Sequence, residues 1–155
     1  MPRHPQRFDT VAQLLASRGL KFIRRSANTP LDADCGIVLG DSMGEMAAYY
    51  RACDVAFVGG SLLAYGGQNL IEACAAGVPV LIGPHTYNFA QAAESAVAAG
   101  AAVRVNGAEE VMQLARSILQ DAGLRERMGK AGVAFCAAHR GATERTLAIC
   151  ERLLA

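Results

Sequence analysis

The sequence is short of charge. Only 19% of its 155 residues are charged, and 15 Lys and Arg offset 14 Asp and Glu to leave +1. No bulk field draws in nucleic acid, so no nucleic-acid partner is expected. No apolar run nears the roughly 18 residues of a membrane span, and no signal peptide opens the chain. The five cysteines (Cys35, Cys53, Cys74, Cys136, Cys150) are odd in number and widely spaced, with no CxxC. That excludes a disulfide framework or zinc ribbon and points to a reducing compartment, with most thiols serving as small core residues. No His/Cys/Asp/Glu cluster has metal-ligand spacing, and there is no GxGxxG, GxSxG or P-loop. Linkers, repeats and low-complexity tracts are missing too. What remains is 52% hydrophobic, argues against disorder, and is long enough for one soluble domain with a substantial core.

The near-zero net charge hides an asymmetry. Residues 1–30 carry Arg3, Arg7, Arg18, Lys21, Arg24 and Arg25 against Asp9 alone. Residues 31–99 carry Arg51 against seven acids, and residues 100–155 carry eight bases against six acids. Solvated helix faces account for this plainly. The sharper reading is that part of the basic N-terminal set meets a phosphate or an anionic surface.

Apolar residues at Phe8, Val11, Ala12, Leu14 and Leu15 predict a helix over Phe8–Ser17, stopped by Gly19. Residues 21–24 and 35–39 read as strands, separated by a turn-rich loop over 26–35. Residues 44–53 predict a helix, 54–58 a strand and 59–68 a glycine-bearing loop. A helix over 69–76 ends at Gly77, a strand follows at 78–82, and a helix over 88–99 ends at Gly100. The last strand is predicted at 101–105. Asn106 is expected to cap Ala108–Gln120, where Glu109 and Glu110 favour the helix dipole. Residues 124–139 and Ala142–Leu154 predict the closing helices, with His139 in a structural role. The strands lack alternation, as strands buried on both faces do. The class is therefore α/β: a doubly wound, Rossmann-like parallel sheet with helices on both faces. Such domains usually open on a central strand, and here none precedes the first helix.

Three turns each follow a buried strand, so all lie on the sheet edge where ligands bind in open α/β folds. Gly59-Gly60-Ser61-Leu62-Leu63-Ala64-Tyr65-Gly66-Gly67-Gln68-Asn69-Leu70-Ile71-Glu72 opens a helix. Its glycines would let the backbone approach a ligand, with a phosphate at the helix start and Glu72 accepting from ribose hydroxyls. The plain alternative is a glycine-rich turn with a solvated glutamate. Gly40-Asp41-Ser42-Met43-Gly44-Glu45-Met46 either reads the edge of a base or merely caps a helix through Asp41 or Ser42. Gly83-Pro84-His85-Thr86-Tyr87-Asn88-Phe89 offers His85 as an acid, a base or a phosphate donor, against the plainer reading of a polar surface loop. Arg3 can fork onto a phosphate.

Jointly and in order, these segments resemble a known family. Pro2-Arg3-His4-Pro5-Gln6-Arg7-Phe8, Gly40-Asp41-Ser42-Met43-Gly44-Glu45, Asp54-Val55-Ala56-Phe57-Val58-Gly59-Gly60-Ser61, Gly66-Gly67-Gln68-Asn69-Leu70-Ile71-Glu72, Gly77-Val78-Pro79-Val80 and the Gly83-to-Phe89 run look like the C-terminal half of 3-deoxy-D-manno-octulosonic acid (Kdo) transferases. The likeness covers nearly the whole chain and is most specific from Gly40 to Phe89. It implies the C-terminal domain of a two-Rossmann-domain, B-type glycosyltransferase, with residues 1–155 holding the donor CMP-Kdo. The acceptor, a lipid A precursor, and the catalytic acidic residue would belong to an N-terminal domain absent from this chain. No catalytic residue, metal or cofactor is assigned here.

Carried over, Arg3 faces the nucleotide phosphate, and Ser42, Met43, Gly44 and Glu45 lie against the cytosine. Asn69 and Glu72 would hold the phosphate and ribose side of CMP, with Gly66, Gly67 and Gln68 also expected to bind the nucleotide and Ser61 and His85 expected near the donor sugar or phosphate. The commoner family form has His at Gln68 and Pro near Leu70 and Ala73. Gln68 can donate to phosphate but carries no titratable proton, so no acid–base role is assigned there. The likeness also accounts for the missing first strand: the chain reads as a domain cut from something longer. Alone it is expected to be soluble and inactive, with an unpaired sheet edge able to recruit a second copy. The full-length protein is expected at the cytoplasmic face of the inner membrane. Two other readings stand beside this one: another B-type glycosyltransferase or sugar-nucleotide epimerase, and a non-catalytic interaction module.

Overall fold

The computed structural model describes residues 1–154, with the backbone alone at 142, 143 and 145. The chain divides into two compact units, one from Met1 to Met46 and one from Ala47 onward.

In the first unit, a 3₁₀ turn over Pro5–Arg7 leads into helix α1 (Phe8–Ser17). Gly19 adopts φ +66° just beyond it, the left-handed conformation that lets the chain leave a helix. Strands β1 (Phe22–Arg24) and β2 (Ile37–Leu39) pair in parallel, Phe22 opposite Ile37 and Arg24 opposite Leu39. Val38 is 46% exposed, so β2 is not buried on both faces as expected.

In the second unit, helix α2 (Met46–Arg51) precedes β3 (Ala56–Val58), α3 (Ile71–Ala75) and β4 (Val80–Ile82). Helix α4 (Ala90–Ala98), β5 (Ala102–Arg104), α5 (Ala108–Gln120), α6 (Ala122–Ala138) and α7 (Ala142–Leu154) complete it. The strands pair in parallel in the order β3-β4-β5. Alternate residues of β4 feed opposite layers. Val80 and Ile82 join a core with Leu70, Ala73, Cys74, Ala93, Ala96 and Phe135, whereas Leu81 joins Val105, Ile118 and Met128. Helices therefore cover both faces of this sheet, as the class requires. Full burial of Leu70, Leu81 or Ile82 is worth about 1.5–3 kcal/mol each. On the edge strand β3, Phe57 is 41% exposed.

Helices α3 and α6 meet through glycine. A Cβ on Gly129 would fall 2.3 Å from the Gly77 carbonyl oxygen, and one on Gly132 would fall 2.9 Å from that of Cys74. The end of α5 is closed by Arg125, which donates to the Ile118 and Leu119 carbonyls at 3.1 and 2.5 Å. Helix α6 is capped by Asp121, which accepts from the Leu124 amide at 2.8 Å. The expected Asn106 cap on α5 is replaced by Gly107. Asn106 instead donates through its backbone and its side chain to Glu110. His139 donates through Nδ1 to the Phe135 carbonyl at 2.8 Å and packs on its ring.

Candidate functional site

In the first unit the turn at 40–45 is organised by a buried acid. Asp41 accepts from the Ser26 amide at 2.8 Å and the Ser26 hydroxyl at 2.6 Å. Arg24 stands 3.6 Å away and pairs with Asp9 at 2.6 Å. Burial pushes the Asp41 pKa up, but the Ser26 bonds and the Arg24 charge outweigh it and hold the carboxyl below its ordinary value. Asp41 is thus neither a helix cap nor a ligand group; it anchors the turn. Ser42 donates to Glu45, whose other oxygen accepts from Arg25 at 2.8 Å. Gly44 turns the chain with φ +80°, and Met43 is 58% exposed at the tip. This turn presents an exposed thioether beside a neutralised Ser-Glu-Arg cluster, a surface suited to a flat, uncharged ring. Arg3 is exposed just before the 3₁₀ turn.

In the second unit two loops leave the carboxyl ends of β3 and β4 and lock together. Ser61 is fully buried: its hydroxyl donates to the Val58 carbonyl at 2.5 Å and accepts from the Gly83 amide at 2.8 Å. Its carbonyl accepts from the His85 amide at 2.9 Å. Farther along, the Tyr87 hydroxyl donates to the Ala64 carbonyl at 2.8 Å. Asn88 donates through its side chain to Tyr65 at 3.1 Å and through its amide to Gly66 at 3.1 Å. The Gly67 amide closes the first loop on the Gly60 carbonyl at 2.9 Å.

This bracing changes the reason for the two glycines. Gly66 and Gly67 hold φ +82° and +72°, yet both are buried. A Cβ on Gly66 would strike the Asn88 side chain at 2.4 Å and the Tyr87 ring at 2.6 Å. The space was expected to admit a ligand, and the second loop fills it. The Ser61 hydroxyl, expected near the donor sugar, is likewise enclosed. What the loop offers outward begins at Asn69. Its Oδ1 accepts from the Ile71 amide at 3.0 Å, which delays α3 to Ile71 rather than the expected 69, and its Nδ2 donates to Glu72 Oε1 at 3.0 Å. Glu72 is exposed, so a pre-oriented carboxylate faces solvent. Its negative charge adds to burial in raising the Tyr50 pKa. His85 is exposed as well. Among the described residues no group of three His, Cys, Asp or Glu is placed to hold a metal ion.

The family model for glycosyl transferases group 1 matches residues 18–134. The chain belongs to this family. Among the group 1 glycosyl transferases it is 52% identical over 148 residues to a 3-deoxy-D-manno-octulosonic acid transferase of Bordetella pertussis. It is 40% identical over 148 residues to the Haemophilus influenzae one. Each alignment covers 95% of this chain and 35% of the relative, so the chain spans about a third of the length of these curated relatives. It superposes with a TM-score of 0.83 on the crystal structure of the C-terminal CMP-Kdo binding domain of WaaA from Acinetobacter baumannii. That match is 31% identical and covers 87% of this chain and 70% of that one. The chain is thus a homologue of Kdo transferases, as the motif series implied.

Several residues that shape this glycosyltransferase domain gave no local signal in the sequence. Ser26 falls in a loop by its sequence and Asn88 at the start of a helix, and neither these positions nor those of Tyr87 and Arg104 point to a distant partner. Their partners lie 15 to 23 positions away.

Proposed function

We propose that this chain is the donor-binding domain of a Kdo transferase, holding CMP-Kdo while Kdo passes to a lipid A precursor in lipopolysaccharide core biosynthesis. The observation that carries the reading is the TM-score of 0.83 and 31% identity to a CMP-Kdo binding domain. The geometry supports it. The tip at Met43–Gly44, flanked in sequence by the hydrogen-bonded Ser42 and Glu45, suits a cytosine ring. The carboxylate of Glu72, held by Asn69, suits a pair of ribose hydroxyls. Arg3 and Gln68 are assigned to the phosphate, and His85 to the donor sugar or phosphate.

In this reading residues 1–155 form the nucleotide-sugar domain. The acceptor site and the catalytic carboxylate belong to the rest of a longer protein that works at the cytoplasmic face of the inner membrane. No helix among the described residues is long and apolar enough to cross a membrane. The 155 residues alone are then inactive, and measurable Kdo transfer by them would contradict this assignment. The sheet edge left unpaired by the missing first strand is a place for a second copy to pair; a strictly monomeric chain at high concentration in sedimentation would exclude that. A crystal of the chain soaked with CMP tests the site itself. Density beside Asn69 and Glu72 is expected, and CMP bound elsewhere would overturn the assignment.

A further inference from the structure

The loops that carry Asn69 and Glu72 depend on a residue that touches neither. Arg104 ends β5, opposite Ile82 in the ladder, so its side chain leaves the sheet beside the loop that follows β4. Its Nη1 donates to the Gly83 carbonyl at 2.9 Å and is shared with Thr86 Oγ1 at 3.3 Å and the Pro84 carbonyl at 3.5 Å. Its Nη2 donates to Glu94 on α4 at 2.5 Å. One planar guanidinium thus joins three acceptors of the 83–89 loop to the next helix, a task that the point charge of a lysine cannot reproduce. The same loop then donates through the His85 and Asn88 amides, the Asn88 side chain and the Tyr87 hydroxyl to Ser61, Gly66, Tyr65 and Ala64.

We propose that Arg104 is a positioning residue for the donor site: it fixes the 83–89 loop, which fixes Gly66 and Gly67, which set the entry to α3 where Asn69 and Glu72 sit. The proposal rests on the reading of that edge as the donor site. Glu94 is part of the device, because it holds the far edge of the guanidinium and so sets its plane. The chemistry served is recognition of a nucleotide's ribose and phosphate, with no contact from Arg104 to the ligand.

The test compares the 155-residue chain with its Arg104→Lys and Arg104→Leu variants by amide hydrogen exchange and by CMP titration. Exchange is expected to accelerate at the His85, Asn88 and Gly67 amides. It should stay unchanged at the Ala56 amide, which bonds to Pro79 within the sheet. The CMP dissociation constant is expected to rise about tenfold in both variants, the equivalent of one charge-assisted hydrogen bond. A gain of exchange equal at Ala56 and at the loop amides would show a merely structural role and overturn the proposal. So would unchanged exchange at the loop amides in both variants, or loop opening without loss of CMP affinity. Absence of CMP binding by the unmodified chain would instead overturn the donor-site reading, and the exchange pattern would still decide whether Arg104 governs the loop.

Discussion

Replacing Gly83 by alanine attacks the point where the two loops lock. A Cβ there would lie 2.2 Å from the Ser61 carbonyl oxygen and 2.6 Å from the Leu62 amide nitrogen, both backbone atoms. Neither can swing aside as a side chain would, so the loops must separate by about an ångström. Such overpacking costs about 1–3 kcal/mol. Separation also stretches the Gly83 amide bond to the fully buried Ser61 hydroxyl and the His85 amide bond to the Ser61 carbonyl. A buried polar group left unpaired costs about 1–3 kcal/mol more. The expected loss is about 3–4 kcal/mol, or roughly 10 °C in Tm for a chain of this length. Urea and thermal unfolding followed by circular dichroism measure it. Gly59→Ala is the control, because a Cβ there meets nothing within 4 Å, and its change should stay within about 0.5 kcal/mol. A Gly83→Ala variant as stable as Gly59→Ala would refute the reasoning.

Two further outcomes follow from buried ionisable groups. The folded pKa of Asp41 is depressed, so its contribution is fully present above the unfolded carboxylate value of about 3.9 and is lost as pH falls through the lower folded value. The stability difference between the unmodified chain and Asp41→Asn should be flat from neutrality to about pH 4 and shrink below it; a difference that grows on acidification would contradict this. Burial, reinforced by Cys136, pushes the Cys74 thiol up to about 11. A thiol-specific disulfide reagent at mildly alkaline pH should label the exposed Cys150 in the native chain and reach Cys74 only on unfolding. Native-state labelling of Cys74 at the Cys150 rate would count against the packing of α3 on α6.

Much of the fold was legible because local signals agreed with it. Helix α1 ends one residue before Arg18, with Gly19 just past it in the left-handed conformation, and the bounds of α1, α5 and α7 match those expected from the sequence. Every strand lies inside its predicted span, yet each is only three residues long. Apolar runs mark burial, whereas a ladder also needs a neighbour in register. Helix α3 starts two residues later than its sequence pattern predicts because the Asn69 side chain takes the Ile71 amide. Exposure of Val38 and Phe57 was hidden, since a run of β-formers carries no record of which face is left uncovered. In the candidate site the residue types were legible and their division of labour was not. Gly66, Gly67 and Ser61 serve the lock between loops. Arg104 and Asn88, which maintain it, reach across more than 17 residues.

The loop edge that carries Gln68, Asn69 and Glu72 is proposed to bind a cytidine nucleotide. Amide chemical shifts of the isotope-labelled chain, titrated separately with CMP and UDP into the millimolar range, test it most directly. Saturable CMP shifts are expected at Gln68, Asn69 and Glu72, weakened by Glu72→Ala and not reproduced by UDP. Shifts that are absent, that spare these residues, or that UDP produces equally would contradict it.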